Sequence, residues 1–347
     1  MTKTRGYAAL AARAELAPFE FERRALRDTD IGFRIDFAGI CHSDIHQVRE
    51  EWGSALFPMV PGHEIVGTVT SIGSKVTSFK VGDSIGVGVF IDSCRECTNC
   101  LNGLQQYCLE GMTGTYNGYE RNSQNVAFGG YSNYFVIEEG YAVKVPSNLD
   151  PAGVAPLLCA GITLYSPIKH WKVGPTSKVA VMGLGGLGHM GVKFAAALGA
   201  EVTVFSHSAH KEADAKAMGA AHFIVTKGDD WHKPLRKKFD LILNTVSADL
   251  DLDPYLSTLA TDGTLVIIGL PGKPYAINAG TMLDGRRSIA GSMIGGMPEL
   301  QAMLDFCGAK NIVSDVEVIK ADYINQAYER TVASDVKYRF VIDASTF

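Results

Sequence analysis

The sequence predicts a two-domain α/β protein: a β-rich first domain, a doubly wound parallel sheet, and a closing segment. Three observations predict it. The chain has 347 residues, more than the roughly 250–300 at which single cores stop growing. From Gly6 to about Asp150, short β-type runs are separated by glycine and polar turns. After Asp150, strand-like and helix-like runs alternate, the pattern of a parallel sheet covered on both faces. The expected divisions are 1–150, 151–296 and 297–347, with a separate lobe at 92–112.

In chain order, Gly6-Tyr7-Ala8-Ala9-Leu10 reads as an opening strand, followed by strands over Phe33–Phe37, Ile65–Ile72, Ser84–Val89 and Tyr134–Ile137. Val81-Gly82-Asp83 reads as a tight turn. Gly111 to Gly130 is polar and glycine-rich, and is expected to be a loop over a cleft. The second domain reads as strand Lys178–Met182, helix Gly188–Leu198, strand Glu201–Phe205 and helix Ala209–Met218. Strands Phe223–Val225, Asp240–Asn244 and Gly263–Gly269 continue it, and Arg287–Met293 ends it. A helix over Met297–Cys307 closes the unit, and Tyr338–Ile342 reads as a strand returning to the first domain.

Bulk properties exclude several functions. Hydrophobic content of 46% and charged content of 20% are ordinary for a globular chain. A net charge of −5 argues against a nucleic-acid partner, which needs a basic face. The apolar stretch Val179–Ala200 is interrupted by glycines, His189 and Lys193, so it is not a membrane span. The N-terminus lacks the apolar core of a secretory signal, and a cytoplasmic protein is expected.

Seven cysteines in such a chain point to metal rather than disulfides. Cys94, Cys97, Cys100 and Cys108 have the spacing that lets successive thiolates face one centre. Sulfur fills all four positions of a tetrahedral zinc, so this knuckle is expected to be structural and to do no chemistry. Cys41 and His63 lie in a second metal-ligand pattern, Gly39 to Glu64, and Cys159 is the expected third donor. A catalytic zinc needs three protein donors and an open position. His42 to Val48 can form a helix with Ile45, Val48 and Trp52 on its buried face. Three readings compete there. His42 and His46 could hold a metal themselves, or the residues could be a surface helix cap. In the third reading Cys41 is a ligand, Ser43 the hydroxyl beside the open position, His46 the exit for protons, and Asp44 a carboxylate orienting a ligand.

Strand Val179–Met182 runs into Gly183-Leu184-Gly185-Gly186-Leu187-Gly188 and then a helix, the context of a dinucleotide-binding loop. Gly183 allows the turn, Gly185 lets backbone approach a pyrophosphate, and Gly188 lets helix and strand pack closely. A site for NAD puts an acid at the far end of the next strand. Glu201 stands at its near end, whereas the far end carries Ser206, His207, Ser208 and Lys211. Those donors suit a 2′-phosphate, so NADP(H) is the expected cofactor.

With these residues in place, the chain resembles the zinc-dependent medium-chain alcohol dehydrogenases. It is most similar to the cinnamyl alcohol dehydrogenase branch, with its bacterial broad-specificity aldehyde reductases. The markers are Gly39–Asp44, Pro61–Glu64, the four-cysteine knuckle, Ala155–Gly161, Gly183–Gly188 and Gly291–Gly296, so the resemblance spans essentially the whole chain. It implies a GroES-like catalytic domain, a Rossmann cofactor domain, two Zn2+ per chain and NADP(H). Cys41, His63 and Cys159 would bind the catalytic zinc, with Glu64 as an exchanging ligand, and Ser43 and His46 would relay protons. His42, Thr163, Ser292 and Ile294 would meet the cofactor, and Trp52, Phe90 and Tyr116 would line the substrate pocket. The implied reaction is reversible hydride transfer between primary alcohols and aldehydes, working mainly as aldehyde reduction, in a homodimer built through Ser288–Ile294. Plant members carry a tryptophan just before the Tyr116 position; Gly114-Thr115 stands here, so a roomier pocket is expected. The alternatives are a zinc-free quinone or enone reductase of the same fold, and a zinc-ribbon module binding nucleic acid.

Overall fold

The computed structural model describes all residues, Met1–Phe347. It divides into one unit of residues 1–162 with 295–347, and a second of residues 163–294. The first division falls inside the helix Ala160–His170, so residues 151–162 pack with the first unit.

The first unit is built on a seven-stranded sheet. Its centre is the ten-residue strand Asp30–Gly39, which pairs antiparallel with Ile65–Ile72, Tyr134–Glu138 and Arg339–Asp343. Ile65-Val66-Gly67-Thr68-Val69 is rich in β-branched residues suited to a half-buried pleat. A left-handed Gly82, at φ +92°, turns the chain from Ile65–Ile72 towards Ser84–Val87. Thr2–Ala8 forms a hairpin with Ala17–Arg23. The segment expected as a loop over a cleft, 111–130, is mostly loop but carries short ladders. Thr113–Gly114 pairs with Phe90–Asp92, and Gly118–Tyr119 pairs with Val126–Ala127. Thr115 and Tyr116 between them are buried.

The helix after Cys41 is short, His42–Val48. Ile45 and Val48 are buried as the periodicity requires, but Trp52 is 46% exposed. The helix stops before Trp52 and Glu50 turns left-handed at φ +54°, which takes the indole out of the helical register.

In the second unit six strands are all parallel, ordered in space His222–Val225, Glu201–Ser206, Lys178–Met182, Phe239–Asn244, Leu259–Ile267 and Ser288–Gly291. This is the doubly wound order whose direction reverses beside the first strand, where nucleotides bind. The expected helix over 209–218 is split into a single 3-10 turn, Ala209–Lys211, and a helix Glu212–Ala217. Beyond it, the helix Met297–Lys310 belongs to the first unit, and Asn311 ends it in the left-handed region at φ +52°. Strands Val316–Ile319 and Arg339–Asp343 then complete the first unit's sheet, with helix Ile324–Val332 between them. No single helix is long and apolar enough to cross a membrane.

Candidate metal centres and nucleotide loop

Strand pairing brings the first two donors together. Gly39 N donates to Glu64 O at 2.9 Å, and Ala38 faces Ile65 across the antiparallel pair. Cys41 therefore leaves one strand beside the point where His63 and Glu64 enter the next. Cys159 follows the 3-10 turn Ala155–Leu158, which packs so closely on Gly88 that a side chain there would sit 2.8 Å from Leu158 O.

The result is one buried cluster. Donor atoms of Cys41, His63, Glu64 and Cys159 all lie within 4.8 Å of one another. The two sulfurs are 4.0 Å apart, close to the edge of about 3.8 Å that a tetrahedron with 2.3 Å zinc–sulfur bonds requires. Asp44 fixes the imidazole, with His63 Nδ1 2.9 Å from Asp44 Oδ1. That leaves His63 Nε2 buried without a hydrogen-bond partner. A buried polar atom is costly unless something satisfies it. A cation would do so here, and the soft sulfurs and imidazole suit zinc.

Glu64 is held from the opposite side. Arg339 Nη2 donates to Glu64 Oε1 at 2.5 Å, and the same guanidinium donates to Ile40 O at 2.8 Å from Nη2 and 3.2 Å from Nε. Glu64 Oε2 has no partner. A side chain on Gly39 would come within 2.0 Å of that oxygen, so glycine is required there.

Electrostatics match a site able to bind a metal. The Cys159 thiol holds Cys41 well below the usual thiol range, and the same contact, with burial, pushes Cys159 up. The two sulfurs thus share one proton. Burial opposes a charge on His63, but Asp44 outweighs it and raises the imidazole well above its usual range. Burial drives Glu64 up to about 8 against the pull of Arg339.

Around the cluster, Ser43 Oγ lies 3.6 Å from Cys41 Sγ. His46 is half-buried, its Nδ1 2.5 Å from Glu51 Oε2 and its ring stacked on Trp52 at 4.7 Å. The rings of His42 and His46 are 5.9 Å apart, but neither joins a group of converging donors. The three candidates for a substrate wall do not share one environment. Tyr116 is buried with its ring stacked 5.9 Å from that of His63, Phe90 packs edge-on against Tyr141, and Trp52 stands at the surface.

Cys94, Cys97, Cys100 and Cys108 form the second group of converging donors. Main-chain amides turn towards the sulfurs, from Cys94 to Cys108 and from Cys97 to Cys94, each at 3.4 Å. Amides of Leu109 and Cys100 pull Cys97 down to about 6. Such amides stabilise thiolate charge, as a four-thiolate zinc site requires. Cys307 is separate from both groups: buried in the core beside Met303, its thiol is pushed up to about 12 by burial.

In the second unit, Gly183 is left-handed at φ +86°, and a side chain on Gly188 would lie 2.0 Å from Gly183 O. A side chain on Gly185 would meet no protein atom within 4 Å. The fold therefore dictates two of the glycines, while the third leaves a cradle above the helix N-terminus that a Cβ would fill. Lys211 reaches back over this loop, and its Nζ donates to Leu184 O at 2.9 Å. Ser208 N donates to Ser206 Oγ at 3.1 Å, and His207 is exposed. Glu201, at the other end of that strand, is engaged by Lys238 and His222. Thr163 and Ile294 are buried and Ser292 is half-buried; Ile294 sits at φ +41°, an unusual conformation for a β-branched residue.

Sequence reasoning missed Arg339 and Tyr131. Arg339 is a charge inside the apolar run Tyr338–Ile342, an anomaly that alone signals a buried partner. Tyr131, whose hydroxyl donates to Asp44 Oδ2 at 3.1 Å, gives no comparable signal.

Comparison with known proteins identifies the family. Residues 27–147 match the alcohol dehydrogenase GroES-like domain, and residues 186–309 match the zinc-binding dehydrogenase family. The chain belongs to the zinc-dependent medium-chain alcohol dehydrogenases, in the cinnamyl-alcohol-dehydrogenase-like branch, and is an oxidoreductase acting on CH–OH donors. It is 53% identical to NADP-dependent alcohol dehydrogenase C 1 of Mycolicibacterium smegmatis, over 100% of this chain and 99% of that one. It is 47% identical to aldehyde reductase YahK of Escherichia coli, over 99% of each. Among solved structures, the cinnamyl alcohol dehydrogenase SbCAD4 of Sorghum bicolor superposes with a TM-score of 0.95 at 42% identity, covering 99% of this chain and 98% of that one. The zinc-free reductase alternative is not favoured.

Proposed function

We propose that this chain reduces a broad range of aromatic and aliphatic aldehydes to primary alcohols with NADPH, using one zinc at the buried cluster and a second in the cysteine knuckle. The observation that carries this reading is the convergence of Cys41, Cys159, Glu64 and His63 around an imidazole nitrogen that nothing in the protein satisfies. Zinc bound there supplies a Lewis acid that polarises a carbonyl and stabilises negative charge on its oxygen.

The chain's own residues do the rest. Cys41 and Cys159 provide the thiolates, and Asp44 keeps His63 in the tautomer whose Nε2 is free to ligate. Arg339 holds Glu64 beside the cluster, with one carboxylate oxygen left to exchange onto the metal. Ser43, two residues beyond Cys41, carries the proton to and from the substrate oxygen, and His46, half-exposed beside Glu51, passes it to water. The knuckle has no open position and serves the lobe around it.

The preference for NADP rests on Ser206, His207, Ser208 and Lys211, a strand end with donors and no carboxylate. The Mycolicibacterium relative is named as NADP-dependent, and the Escherichia relative as an aldehyde reductase. Breadth of substrate follows from Gly114-Thr115, where no indole narrows the space. A homodimer is part of the same reading, because Ser288–Gly291 is an edge strand paired on one side only; a monomer by light scattering would refute it. So is a cytoplasmic location, which keeps seven cysteines, none in a disulfide, reduced.

The test is a panel of aromatic and aliphatic aldehydes assayed with NADPH and NADH on protein of measured zinc content. Two zincs per chain and at least tenfold higher kcat/KM with NADPH are expected. One zinc per chain, or equal use of NADH, overturns the corresponding part.

A further inference from the structure

We infer that Tyr131 is a positioning residue for the buried metal centre: its hydroxyl fixes the Asp44 carboxylate that orients His63, and so sets how tightly the centre holds its metal. This rests on the reading that Cys41, His63 and Cys159 hold a metal.

Asp44 is fully buried and accepts four hydrogen bonds, two on each oxygen. Oδ1 takes Gly62 N at 3.1 Å and His63 Nδ1 at 2.9 Å, and Oδ2 takes Cys41 N at 3.0 Å and the Tyr131 hydroxyl at 3.1 Å. One carboxylate thus ties both ligand-bearing segments together, and the Tyr131 hydroxyl binds it from outside them, with the buried Tyr116 phenol also interacting with it. Without the Tyr131 hydroxyl, Oδ2 loses a donor and the carboxylate can pivot away from His63. Tyr131 is itself pinned to the His63 segment. Its amide donates to Pro61 O at 2.9 Å, and its ring fills the space a side chain on Gly62 would need, 2.6 Å from that Cβ. A phenylalanine would satisfy the packing equally well, so the hydroxyl is the part with a function to explain.

Losing a group hydrogen-bonded to a ligand, here Asp44, typically costs about 10–100-fold in metal affinity, and Tyr131, which acts through Asp44, should fall at the lower end. The experiment follows chelator-driven release of both zincs from the parent protein, Tyr131→Phe, Asp44→Asn and the double variant. Cobalt(II) is then substituted at the buried centre and its visible spectrum recorded. In Tyr131→Phe, one zinc should leave at least tenfold faster while the knuckle zinc leaves at the parent rate, and the cobalt bands should shift. In the Asp44→Asn background the same change should add nothing. Parent-like release with an unchanged cobalt spectrum overturns the inference. So does faster loss of both zincs together, which marks general loosening, or an undiminished effect without Asp44. A parent protein holding a single zinc overturns instead the metal reading on which the inference stands.

Discussion

Arg339 and Glu64 meet where neither charge reaches water. Each is buried at a cost, and the pair survives because the guanidinium satisfies the carboxylate and the Ile40 carbonyl together. Removing one partner of such a pair strands the other, which costs about 3–5 kcal/mol. Arg339→Leu should therefore lower unfolding free energy by about that amount, and Glu64→Gln in the same chain should recover a large part. Denaturant titration of the four proteins checks both, and additive losses would show that the contact is not coupled. Ser43 tests the chemistry instead of the fold. Its hydroxyl lies beside Cys41 on a half-buried residue, and alanine keeps the Cβ there, so Ser43→Ala should keep the parent zinc content. Its kcat should fall by about 10²–10⁴-fold, the usual scale of a lost proton-transfer group. Full activity in that variant removes the relay.

Elements differ in how openly the sequence announces them. The knuckle is the plainest: short spacing fixes four sulfurs on one centre, and the structure brings them together with amides already turned inward. Any one Cys→Ser change there should leave the buried cluster's zinc in place but make residues 92–112 the first site of limited proteolysis. Equal resistance would mean the metal does not hold the lobe. The strands Ile65–Ile72 and Lys178–Met182 were legible to the residue because β-branched runs end at glycine or polar turns. The hairpin strand Ala17–Arg23 was not, since Phe19 and Phe21 alternate with charges and the sequence does not say which face is covered. Helix Ala160–His170 was hidden by an apolar run without period and by Pro167 within it. In the site, Cys41, His63 and Cys159 were legible because their side chains have few other uses in that pattern. Arg339 and Tyr131 were not, because their partners lie 275 and 87 residues away and only the fold makes them neighbours.

At the scale of the molecule, the first unit is completed by the last part of the chain. Strand Arg339–Asp343 pairs against the strand leading to Cys41, and the charge that holds Glu64 arrives with it. Metal binding and folding of this unit are therefore linked, and the linkage has a sign in pH. In metal-free protein, burial raises Glu64 from its ordinary 4.5 to about 8, and Asp44, against burial, raises His63 above its ordinary 6.5. A raised group contributes stability that is present below its unfolded value and is lost as pH rises through its folded value. Cys41, held below its ordinary 9.0 mainly by Cys159, acts in the opposite direction. Between about pH 6 and pH 8 two groups outweigh one, so the metal-free protein should lose stability as pH rises. Zinc must displace the protons these groups retain, so its binding strengthens over the same window. The stronger binding widens the gap in Tm between zinc-loaded and metal-free protein from pH 6 to pH 8. Each kcal/mol of that widening is worth about 1.4 °C at roughly 2.1 cal/mol/K of unfolding entropy per residue. Thermal unfolding of both forms at the two pH values measures it directly. A gap that stays constant or narrows would mean that Glu64 and His63 give up their protons before the metal arrives.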